Sequence, residues 1–78
     1  MWIQTVERDW VQSNTIIRAY IAEKLFCVLT NEIEGGENKV HVLCKSVNPE
    51  RVPNLLHSFS ESSSYLILST EDIHRRLS

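Results

Sequence analysis

Residues 25–47, LFCVLTNEIEGGENKVHVLCKSV, hold two stretches in which apolar side chains recur at every second position, one on each side of Gly35-Gly36. Period-two alternation marks a strand with one face toward a core, and paired glycines supply the positive φ angles of a tight hairpin turn. The stretch predicts a β-hairpin. A two-residue turn at Gly35-Gly36 sets Leu29 opposite Val42 and Cys27 opposite Cys44, whereas a four-residue loop from Gly35 to Asn38 sets Ile33 opposite Val40. Either register gathers the same residues on each face. Cys27, Leu29, Ile33, Val40, Val42 and Cys44 share one, expected to be the core. Phe26, Val28 and Leu43 share the other with Thr30, Glu32, Lys39, His41 and Lys45, an apolar centre with a charged rim.

Upstream, the odd positions from Ile17 to Ile33 are mostly apolar, which continues the strand pattern. Ile17, Tyr20, Ile21, Leu25 and Val28 also fit a helix face, but β-branched and aromatic residues favour strand. A bend near Ala22-Glu23-Lys24 is expected to divide the region into two strands. The opening segment stays open. Trp2, Val6 and Trp10 fit a helix face, while Trp2, Gln4 and Val6 fit a strand. Tryptophan is enriched at binding hot spots, yet in so small a domain both rings are expected in the core.

Downstream, Asn48-Pro49-Glu50 reads as a helix start, with Asn as cap and Pro and Glu in the first turn. Val52, Leu55, Leu56 and Phe59 follow at i, i+3, i+4 and i+7. Pro53 would remove a donor deep in a helix begun at Pro49, so either a separate turn precedes the helix or the helix starts at Pro53. Ser58 to Ser64, with five serines, reads as a polar loop. Tyr65 to Leu68 reads as a strand covered on both faces. Thr70 would cap a last helix held by Ile73 and Leu77, with Glu71 and Asp72 at its start and Arg75-Arg76 near its end. The order predicts one α+β domain over residues 1–78: a mainly antiparallel sheet of four to five strands, a central hairpin, and two helices packed on one face.

Seventy-eight residues bury only about 60 to 65% of the surface the unfolded chain exposes, so a second subunit is a reasonable aid to stability. The net charge of -2 gives no general attraction to phosphate, and only Arg75-Arg76 places two cations side by side. Nucleic acid is therefore an unfavoured partner. No basic region followed by an apolar run opens the chain, and no stretch approaches the roughly 20 apolar residues of a membrane span. A soluble cytoplasmic protein is expected.

Cys27 and Cys44 lack CxxC spacing and sit in apolar sequence, so free buried thiols are the simplest account. A cross-strand disulfide would be labile in a reducing compartment. His41, His57 and His74 show no ligand spacing, and the serines have no nucleophile elbow. Gly35-Gly36 is too short for a phosphate-binding loop. No enzyme, metal or cofactor is expected. What remains is a small interaction or regulatory module that binds a protein partner, a second copy included. It would do so through an uncovered sheet edge or through the face of Phe26, Val28, Lys39, His41, Leu43 and Lys45. The alternative is a nucleic-acid-binding domain using Lys39, His41 and Lys45 on that face, with Tyr20 or Phe26 for stacking.

Overall fold

The expected hairpin forms from β4 (Leu25–Glu34) and β5 (Glu37–Cys44), joined at Gly35 (φ 61°) and Gly36 (φ 82°). A computed structural model describes the backbone of residues 1–61 and 67–78 and the side chains of residues 1–58 and 67–78. At the tip, Glu34 pairs with Glu37 and Ile33 with Asn38, the register of the two-residue turn. That register does not persist. Thr30, Asn31 and Glu32 together oppose Lys39, after which Leu29 pairs with Val40 and Cys27 with Val42; Leu43 is then extra before Cys44 meets Phe26. Bulges insert residues without partners and re-aim the side chains beyond them. The expected Cys27–Cys44 pairing is accordingly replaced by Cys27–Val42 and Phe26–Cys44, and both thiols are free and buried.

The bend upstream is a second two-residue turn, Glu23-Lys24, with φ of 50° and 70°. It joins β4 to β3 (Ile16–Ala22), giving a sheet of order β3-β4-β5. The opening segment supplies two short strands, β1 (Trp2–Gln4) and β2 (Trp10–Gln12). With β6 (Ile67–Leu68) they make a second sheet of order β2-β1-β6, antiparallel between β1 and β2 and parallel between β1 and β6. Two three-stranded sheets thus replace the single sheet of four to five strands. β1 never joins the hairpin ladder: its following turn docks on β5 through a single backbone bond, Val6 N to Val42 O at 3.0 Å.

Asn48 accepts from Glu50 N at 3.1 Å and opens a 3₁₀ turn, Pro49–Arg51, before α1 (Val52–Glu61). Pro53 is the second residue of α1, where its missing N–H removes no helical bond. Ser58–Glu61 continues this helix instead of forming loop, and Ser62–Leu66 falls outside the described residues. α2 (Thr70–Leu77) is capped by Ser69, one residue earlier than expected. Ser69 Oγ accepts from Asp72 N and Asp72 Oδ2 accepts from Ser69 N, both at 3.2 Å, a reciprocal capping box. No described helix is long and apolar enough to cross a membrane.

The core overturns the face assignment of the hairpin. Phe26, Val28 and Leu43 are fully buried, and pack with Ile3, Leu55, Leu68, Ile73 and Leu77. Ile33 and Val40, expected inside, are exposed, and Leu29 and Val42 are half-buried. Alternation grouped four of these residues correctly, since Leu29, Val40, Cys27 and Val42 still share a face, while Cys44 crosses to the other; the face toward the helices is that other one. The inward face holds two polar residues, and the structure satisfies both. Thr30 Oγ1 donates to Lys39 O at 3.1 Å, and His41 Nε2 lies 3.4 Å from Glu32 Oε2. The bulge at Leu43 completes the core by turning both Leu43 and Cys44 inward.

Candidate functional site

Of the residues expected to bind a partner, Phe26, Val28 and Leu43 are core and His41 is buried. Lys39 is half-buried with Nζ 3.7 Å from Glu34 Oε2, while Lys45 is exposed on the far side of the bulge. The six therefore form no common free surface. Lys39 and His41, of the three residues expected to meet phosphate, each lie against a glutamate, at 3.7 and 3.4 Å.

A different surface carries exposed large apolar groups in order. In the β1–β2 register Trp2 pairs with Gln12 and Gln4 with Trp10, so both rings lie on the face opposite buried Ile3 and Val11. Trp2 and Trp10 are diagonal neighbours, about 7 to 8 Å apart at the backbone, within reach of large aromatics. Ile67 pairs with Trp2 from the other side. The result is a stripe across all three strands, Trp10, Trp2, Ile67, with exposures of 47%, 43% and 61%. Its polar neighbours are glutamines held elsewhere: Gln4 Oε1 accepts from Thr70 N at 3.1 Å, and Gln12 Oε1 from the Met1 amine at 3.0 Å. The nearby Arg8 pairs with Glu71 at 3.0 Å. At Glu71, the backbone N–H at the start of α2, then Arg8, hold the carboxyl below its ordinary value.

A groove of about 610 Å³ runs between β5 and α2, lined by Val6, Cys44, Lys45, Glu71, His74 and Arg75 among others. Cys44 Sγ donates to Lys45 O at 3.2 Å and lies 3.9 Å from His74 Nδ1. Burial pushes the Cys44 thiol up, so it stays protonated at neutral pH with its proton directed at a carbonyl. Burial acts the same way on Cys27. Among the described residues, no group of three or more His, Cys, Asp or Glu could hold a metal.

No family model, curated protein or solved structure matches this chain. The two edges of the β3-β4-β5 sheet differ: β5 receives Val6 N at its Val42 carbonyl, whereas β3 has no hydrogen-bonded neighbour on its outer side among the described residues. The tryptophan stripe was missed in the sequence for a specific reason. Both rings were expected in the core; the helix option set Trp2 and Trp10 on one face and the strand option set Trp2 with Val6, but it is the return through Arg8, at φ 70°, that pairs β2 with β1 and brings Trp10 beside Trp2 on the exposed side.

Proposed function

We propose that the chain is a small protein-interaction module whose docking surface is the Trp10–Trp2–Ile67 stripe. The observation that supports this reading is the alignment of two half-exposed indoles and an isoleucine across one sheet face. Large apolar residues exposed together, not singly, mark interaction surfaces, and tryptophan leads the residue types at binding hot spots. Indoles could also stack on nucleobases, but that use calls for adjacent cations to track the phosphates. Here the flanking groups are Gln4 and Gln12, and Arg8 is paired. A protein surface with an apolar centre is the better fit.

The test compares immobilised wild-type chain with a Trp2→Ala/Trp10→Ala variant as baits in extract from the native source, with bound protein and nucleic acid both measured. Circular dichroism first establishes that the variant is folded. Proteins retained by wild type should fall by about tenfold or more on the variant. Equal retention on both baits, or retention of nucleic acid that collapses between low and moderate salt, would overturn the reading.

A further inference from the structure

The outer edge of β3 offers backbone groups that nothing among the described residues uses. In a hairpin closed by a two-residue turn, the flanking residues exchange hydrogen bonds, and bonded and non-bonded pairs alternate along the ladder. Ala22 and Leu25 flank Glu23-Lys24, so Ala22, Tyr20 and Arg18 point their backbone groups at β4. Ala19 and Ile21 point theirs away. Edge strands are ordinarily blunted by proline, several charges or a cover. This one has no proline and one charge, Arg18, and it exposes Ile17 (59%) and Ile21. Its bulge, at Ile17, lies at one end and leaves Arg18 to Ala22 in regular register.

We infer that β3 is the contact edge of a two-fold dimer: a second copy of this chain adds its own β3 antiparallel, with Ala19 opposite Ala19 of the second copy. Each Ala19 then donates its N–H to the other's carbonyl, and the β3-β4-β5 sheets of the two copies become one of six strands. The side chains select this register. Arg18 lies over the Tyr20 ring of its own chain, 5.5 Å from the centroid. Centring on Ala19 also sets Arg18 opposite Tyr20 of the second copy, so each guanidinium has two rings in reach. On the other face Ile17 meets Ile21. Sliding the pairing to centre on Arg18 would oppose like charges, which destabilises a ladder. Centring on Tyr20 would leave both isoleucines without each other. The inference rests on the reading of the chain as an interaction module, but it uses a separate surface, so edge variants and tryptophan variants report independently.

Size-exclusion chromatography with light scattering tests the state: the chain should elute at twice its 9.0 kDa mass. Ala19→Pro deletes an N–H that β4 does not use, a place where strands tolerate proline, and should give a folded monomer. Ile17→Lys/Ile21→Lys opposes like charges across the edge without touching the core, and should also give a monomer should proline perturb the strand. The register is read by mixing Arg18→Cys with Tyr20→Cys chains under mild diamide oxidation, both carrying Cys27→Ser because position 20 pairs with Cys27 within the chain, with the Cys27→Ser chain as control. The mixture should cross-link between positions 18 and 20, and neither variant should do so alone, because like positions then lie diagonally, beyond about 7 Å. A monomeric wild type, a dimer that survives both edge variants, or an Arg18→Cys chain that cross-links to itself would overturn the inference. A dimer lost on Trp2→Ala/Trp10→Ala but kept in the edge variants would place the copies on the stripe instead.

Discussion

The base and the tip of the β4–β5 hairpin are written in the same alternating code and have opposite fates. At the base, Phe26, Val28, Leu43 and Cys44 are sealed beneath α1, α2 and β1; at the tip, every residue from Asn31 to Asn38 is exposed. Apolarity does not separate them, since Ile33 is as hydrophobic as Val28 and stands 67% open to solvent. What separates them is the bulge at Thr30–Glu32, beyond which no element among the described residues covers either face, and the acidic Glu32, Glu34 and Glu37 keep the tip wet. Alternation reports that a segment is a strand. Coverage comes from elements elsewhere in the chain.

Substitutions along the hairpin should reproduce this gradient. Phe26→Ala empties a fully buried site and should cost about 3 to 5 kcal/mol in a denaturant titration, a large part of the stability of so small a domain. A loss near that of an exposed site would return Phe26 to the surface. At the junction, Thr30→Val keeps the shape but deletes the hydroxyl that meets Lys39 O, and should cost about 1 to 3 kcal/mol. At the tip, Ile33→Ser should change stability by no more than about 0.5 kcal/mol in either direction. Should Ile33→Ser instead rival Thr30→Val, the tip would be covered in solution.

The same contrast explains what could be read from residues alone. The Gly35-Gly36 turn, the division near Glu23-Lys24, the Asn48 cap and the Ile73–Leu77 anchor were all legible, because each rests on local chemistry: positive φ, a side-chain acceptor, a four-residue spacing. The orientation of the hairpin was not. Both its faces carry apolar residues, and the inward one hides Thr30 and His41, whose partners Lys39 O and Glu32 are set by the bulge, a feature without a local sequence signature. The division into two sheets was equally hidden, since β1 finds partners at Trp10–Gln12 and, at a far greater chain distance, Ile67–Leu68. The candidate site inherited these errors. A patch placed at Phe26, Val28 and Leu43 turns out to be core, while the tryptophans expected inside are half-exposed.

Hydroxyl-radical footprinting of the native chain, read by mass spectrometry and normalised to each residue's rate in denaturant, tests that exchange of roles most directly. Trp2 and Trp10 should label at about half of their unfolded rates, as their exposures of 43% and 47% require, with Phe26 and Leu43 strongly protected. Protected tryptophans beside freely labelled Phe26 and Leu43 would contradict both the orientation of the hairpin and the docking surface built on it.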